Sequence, residues 1–229
     1  MLPMNAKTVP IEKLEELLDD PLYIAEVKFD GYRCIYDNGT MYSRLGNVFD
    51  VPEILMEFNE RKAILDGELY IPGGNSSDVT TALGKDGDKS KLRYVVFDIL
   101  EFGIDPMRLN KVSWGCRRAT LEKFWEQMSP FDRVELSEVH QDKRGLLRYA
   151  EKNSLEGIML KNINANYYPS KRPTGVWWKV KKHDTADVVC TGFEEGKGKY
   201  KGLIGSIVFG NGKCSGMTDE MRKEISSNR

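Results

Sequence analysis

Apolar residues in VPIEKLEELL recur at Ile11, Leu14, Leu17 and Leu18, and Asp19-Asp20-Pro21 closes the run, so this spacing predicts a short helix. The period then falls to two. LYIAEVKF and YRCIYD read as strands, and Asn38-Gly39 makes a tight hairpin turn into TMYSR. DVPEILMEF reads as a helix, with Asp50 at the cap and Pro52 in the first turn. RKAILDGELYI and LRYVVFDIL are two further strands, and the Gly-, Ser-, Asp- and Lys-rich PGGNSSDVTTALGKDGDKSK between them is expected to be a mobile surface loop. SWGCRRATLEKFWEQM and QDKRGLLRYAEKN are amphipathic helices around the strand RVELSEVH, followed by the short strands EGIMLKN and VWWKVKK. After His183-Asp184 the pattern becomes glycine-punctuated β segments ending in a helix at TDEMRKEI. The expectation is an α+β chain of two domains, 1–183 and 184–229, with the boundary near Asp184.

One position departs from the pattern. Lys28 stands at the end of the strand in AEVKFDGYR, where a buried ammonium without a partner would cost several kcal/mol or lose its proton. Taken alone, a surface strand with Lys28 in water explains it.

Composition narrows the classes. At 229 residues, 40% hydrophobic and 30% charged, the chain is of soluble globular type. It has no apolar run near the ~20 residues a membrane span needs, and MLPMNAKTVP lacks a signal peptide's apolar core, so a cytoplasmic, membrane-free protein is expected. Cys34, Cys116, Cys190 and Cys214 are scattered without a CxxC pair, which suggests neither a zinc site nor a disulfide framework. A net charge of −1 argues against a general nucleic-acid coat protein. However, residues 161–201 carry nine Lys or Arg against four Asp or Glu, a local balance of +5 that points to a polyanion.

KFDGYR has the pattern Lys-x-Asp-Gly-x-Arg, and behind it come, in order, Ser43-Arg44, LDGELY around Glu68, VVFDIL around Phe97, EGIMLK around Glu156, and WWKVK with Lys179 and Lys181. In this ordered set the chain resembles the covalent nucleotidyltransferases, most closely the ATP-dependent DNA ligases, over residues 22 to 216. The resemblance implies a nucleotidyltransferase (adenylation) domain of antiparallel sheets flanked by helices, followed by part of an OB-fold β-barrel. It makes Lys28 the nucleophile that attacks the α-phosphate of ATP to form lysyl-AMP. It implies that Glu26 and the Val27 backbone meet the adenine edge and that Phe97 stacks on its face. Arg33 and Glu68 then bind the ribose, and Arg44 reaches the ribose or the 5′-phosphate of the nick. Glu156 holds Mg²⁺, with Asp30 as a second candidate that equally could orient Lys28.

An amine of ordinary pKa ~10.4 is protonated at pH 7 and cannot attack phosphorus. Lowering it to about 8 takes on the order of 3 kcal/mol. Lys179 and Lys181 alternate along one strand and so share a face, from which they are expected to supply a cationic field and hold the α-phosphate.

Lys28 lies too near the start for the N-terminal module of NAD-dependent relatives, so ATP is the expected donor. The expected partner is nicked duplex DNA, bound by a monomer. The chain stops at Arg229, before the further barrel strands and basic final motif of the resembled family. Self-adenylation is therefore expected to be slow or absent unless a partner supplies them. The rival readings are an RNA ligase or mRNA-capping guanylyltransferase, and a non-catalytic nick-binding remnant.

Overall fold

The structure is a computed structural model that describes residues 2–59, 61–103, 107–128, 130–181, 188–210 and 212–227. It divides into two compact units, Met1–Lys182 and His183–Arg229. The expected boundary residue, Asp184, lies outside the described residues. Among the described residues no helix is long and apolar enough to cross a membrane.

The first unit begins with β1 (Lys7–Thr8), α1 (Leu14–Asp19), β2 (Tyr23–Val27), β3 (Tyr32–Asp37), β4 (Thr40–Ser43) and α2 (Pro52–Glu57). It continues with β5 (Ala63–Tyr70), α3 (Ser76–Leu83), β6 (Arg93–Phe102), β7 (Met107–Arg108) and α4 (Trp114–Met128). It ends with β8 (Val134–Leu136), α5 (Lys143–Lys152), β9 (Gly157–Asn162) and β10 (Trp177–Lys181). One sheet has the order β1-β10-β9-β2, and a larger one runs β4-β3-β5-β6-β7 with β8 also paired to β6. Pairing is antiparallel except at β1–β10 and β6–β8.

Alternation decides what each sheet face does. On the smaller sheet Tyr23, Ala25, Ile158, Leu160, Trp178 and Val180 form one apolar face, packed with Leu17 and Leu18 of α1 and Leu146 and Ala150 of α5. On the larger sheet Cys34, Tyr36, Leu65, Leu69, Val96 and Ile99 point the other way, into a core with Ile54, Val79, Leu121 and Phe124 from α2, α3 and α4. A third cluster includes Ile35, Ile64 and Leu100 of the larger sheet with Trp177 of the smaller one, joined by Met4 and Tyr167. The two inner faces therefore meet, and their remaining positions are free to carry polar groups.

Two local expectations are corrected. PGGNSSDVTTALGKDGDKSK is not a featureless loop, because it holds α3, closed at its N-terminus by a capping box between Asn75 and Asp78. Val79 and Ala82 anchor α3 in the core, and a single three-residue spacing within a polar, glycine-flanked stretch gave too weak a periodic signal. Asp50 does not cap α2. Val51 holds the cap position without a side-chain bond, while the Asp50 carboxylate accepts from Lys89 Nζ at 2.5 Å. The hairpin turn is as expected, with φ of 49° at Asn38 and 97° at Gly39.

In the second unit β11 (Gly192–Glu195), β12 (Ile204–Phe209) and β13 (Gly212–Cys214) form an antiparallel sheet, followed by α6 (Asp219–Ser227). Ile204 and Met217 are its buried apolar residues among those described. The buried Arg222 fastens α6 instead: it donates to the carbonyls of Ile204 at 2.7 Å, Gly205 at 2.6 Å and Ser215, and stacks 4.5 Å from the Tyr200 ring centroid.

Candidate active site

The inner face of the smaller sheet is a row of alternate residues. Glu26, Met159 and Lys179 are direct cross-strand neighbours on β2, β9 and β10, and Lys181 pairs with Gly157 one step along. Lys28 follows the end of β2, with its backbone N–H donating to Gly157 O at 3.0 Å. Gly157 has φ of 138°, and a Cβ there would lie 2.0 Å from Val180 O. Only glycine lets β9 begin this close to β10, which places Glu156 beside both lysines. Gly31 has a similar role behind Lys28, where a Cβ would stand 2.1 Å from Leu69 O.

Two adjoining cavities open on this row. The inner one, about 170 Å³, is lined by Glu26, Val27, Phe97, Lys161 and Trp177 among others. The outer one, about 600 Å³, is lined by Asp30, Tyr32, Ser76, Glu156 and Lys181 among others. Lys28, Arg33, Arg44, Glu68 and Lys179 border both. Every residue singled out in the sequence thus faces one cavity or the other.

Lys28 Nζ is ion-paired with Glu156, whose other oxygen lies 3.0 Å from Lys181 Nζ. Burial alone would raise the Glu156 carboxyl, but its contacts with Lys28 and then Lys181 outweigh this and hold it below the usual range. Lys179 is pushed below its ordinary value, first by burial and then by Lys181, Lys28 and Arg172. The cations therefore crowd one another enough to favour an incoming anion.

Arg33 is directly opposite Glu68 in the β3–β5 pairing. Its guanidinium makes two bonds of 2.6 Å to the fully buried Asp66 and lies 4.7 Å from the Phe97 ring centroid. Burial opposes the charge on Arg33, yet Asp66 more than offsets it and the net shift is upward. Tyr167 Oη also donates to Asp66, at 2.6 Å, and accepts the Met4 N–H at 2.9 Å. Asp30 accepts the Ser76 N–H of α3 at 3.3 Å. Among the described residues no group of three or more His, Cys, Asp or Glu is placed to hold a metal ion.

Burial, partly offset by Arg33 and Lys28, raises Glu68 from 4.5 to about 7. A raised acid stabilises the fold fully below its unfolded value and loses that contribution as pH rises through the folded value. Between pH 4 and 8, Glu68→Gln is expected to gain up to about 3 kcal/mol on the parent chain, read as the difference between their urea unfolding curves. A pH-independent difference contradicts the shift.

Several residues lining or supporting the site were not anticipated. Lys161 is buried, with Nζ 2.8 Å from Glu26 Oε1 and 4.4 Å from the Phe97 ring centroid, and burial lowers it despite Glu26. Counting by two from Gly157 in EGIMLK places Lys161 on the cavity face, so the signal was there to be read. Counting by two from Glu68 and from Lys179 likewise reaches Asp66 and Trp177, whereas Arg172 and Ser137 carried no comparable signal.

Comparison with known proteins bears on the whole arrangement. The chain is 26% identical over 193 residues to the SPbeta prophage-derived DNA ligase-like protein LigB of Bacillus subtilis, covering 80% of this chain and 70% of that one. It is 28% identical over 248 residues to a DNA ligase of Methanothrix thermoacetophila, covering 93% of this chain but only 44% of that one. Its fold matches a structure from a study of Lig E DNA ligases with a TM-score of 0.68, at 22% identity, over 98% of this chain and 88% of that one. It also matches Chlorella virus DNA ligase-adenylate with a TM-score of 0.64, at 19% identity, over 100% of this chain and 87% of that one. The family model described as ATP dependent DNA ligase domain matches residues 3–181, from just before β1 to the last residue of β10, Lys181, and the chain therefore belongs to that family.

Proposed function

We propose that the chain is an ATP-dependent DNA ligase that joins a 3′-hydroxyl to a 5′-phosphate at a nick in duplex DNA, through lysyl-AMP and then DNA-adenylate. The observation that carries this is the convergence on one amine: Lys28 and Glu156 paired at the junction of the two cavities, with Lys179 and Lys181 beside them. In the first step Lys28 Nζ forms a bond to the α-phosphorus. The bond from that phosphorus to the bridging oxygen breaks, pyrophosphate leaves, and the amine sheds its proton.

The inner cavity takes the nucleoside. Glu26 and the Val27 backbone meet the base edge, Phe97 its face, and Arg33 and Glu68 the ribose. The outer cavity takes the phosphates, with Lys179 and Lys181 on the α-phosphate and Arg44 at the ribose or the 5′-phosphate of the nick. Mg²⁺ binds through one or two carboxylates and completes its shell with water and phosphate oxygens, a demand that Glu156 fits, with Asp30 as the second candidate. When bound, the ion neutralises charge developing on the phosphoryl group.

The residues from 184 onward are read as part of an OB-fold domain. Nicked duplex is bound by a cytoplasmic monomer through Lys and Arg contacts to phosphate, so affinity falls steeply with salt.

Incubation with α-labelled ATP and Mg²⁺, followed by peptide mapping, tests the proposal. Label is expected on Lys28. Label on another residue overturns the assignment, and absence of label at long times favours a nick-binding remnant.

A further inference from the structure

Glu26 is 1% exposed on β2, and its two carboxylate oxygens are treated differently. Oε2 accepts a bond of 2.7 Å from Ser137 Oγ. Oε1 lies 2.8 Å from Lys161 Nζ, but no group meets it with hydrogen-bond geometry. A buried acceptor that keeps an unused lone pair on the wall of a cavity is set to receive a donor from whatever fills that cavity.

Ser137 is itself held in place. It is 2% exposed, its N–H donates to Val96 O at 2.8 Å, and its carbonyl accepts from Arg118 at 2.8 Å. It follows β8, more than a hundred residues from Glu26 in sequence, and does not line the cavity. Its hydroxyl therefore acts on a ligand only through the carboxylate it orients.

We infer that Ser137 is a positioning residue for base selection, turning Glu26 so that Oε1 confronts a donor such as the 6-amino group of adenine. The inference rests on the reading of the inner cavity as the nucleoside site. It adds to that reading where selectivity comes from. A purine with hydrogen at position 6 leaves Oε1 unpaired, and one with a carbonyl there sets acceptor against acceptor; a site with a fixed polar group rejects both more strongly than a loose one does. With Ser137 lost, the carboxylate is free to swing toward Lys161, and the penalty for a missing amine shrinks.

The test is equilibrium binding, without any covalent step, of ATP and purine riboside triphosphate, which lacks the 6-amino group. The parent chain is expected to prefer ATP by roughly 10- to 100-fold. In Ser137→Ala that ratio is expected to fall several-fold, through weaker ATP binding with the analogue unchanged, and Ser137→Thr, which keeps the hydroxyl, is expected to restore it. An unchanged ratio in Ser137→Ala overturns the inference, as does equal weakening of both nucleotides. A parent chain that binds both equally well also overturns it while leaving a nucleotide site in place. A parent chain that binds neither removes the underlying reading and the inference together.

Discussion

Lys28→Arg is expected to take no label from α-labelled ATP while keeping its fold and its noncovalent affinity for the nucleotide. The arginine preserves the positive charge that pairs with Glu156, so the carboxylate is not stranded as it would be in Lys28→Ala. What it removes is the reactive lone pair. A guanidinium keeps its proton far above neutral pH, so almost none is neutral at pH 7.5, and its nitrogens are delocalised. Label should therefore fall to background, ATP affinity should stay within about tenfold, and the thermal midpoint should move by only a few degrees. Persistent labelling of Lys28→Arg would show that another group attacks phosphorus, and the catalytic reading of Lys28 would be lost.

The second large effect is structural. Asp66→Ala strips the counter-ion from Arg33 and the acceptor from Tyr167, both in the seam between the two sheets of the first unit. Removing one member of a buried pair costs about 3–5 kcal/mol, because the remaining charge has no partner. In a unit of this size that is a fall in thermal midpoint on the order of 10 °C. Nucleotide affinity should fall as well, since Arg33 is aimed across the cavity by Asp66. Differential scanning calorimetry and nucleotide titration of the same variant give both numbers. A loss below about 1 kcal/mol would mean that Arg33 finds another anion, Glu68 being the nearest in the pairing.

How far the site was legible depended on whether its residues sit in regular elements. Glu26, Lys28, Arg33, Glu68, Phe97, Glu156, Lys179 and Lys181 lie in or directly beside strands, so a period of two fixes their face as soon as the strand is recognised. Lys161 obeys the same rule, two residues beyond Met159 on β9. Arg44 directly follows β4, whereas Asp30 lies in the bend between β2 and β3, where spacing says nothing of direction. In Asp30 the carboxylate is engaged by the N-terminus of α3, a helix hidden in a stretch whose glycines and serines argue for a loop.

The resemblance of the ordered motifs pointed to the candidate site residues, and the linear pattern by itself determined the Asn38-Gly39 hairpin and the strand and helix order of the first unit, apart from α3 and the two-residue strands β1 and β7. These follow from periodicity and turn chemistry, which act over a few residues. Tertiary structure alone decided the pairing of Glu156 with both Lys28 and Lys181, the lock of Asp66 on Arg33 and Tyr167, and the grip of Ser137 on Glu26. Each joins groups 25 to 128 positions apart in the chain. Local propensity cannot encode such contacts; they exist only once two sheets have buried their apolar faces and turned the remaining alternate positions toward each other.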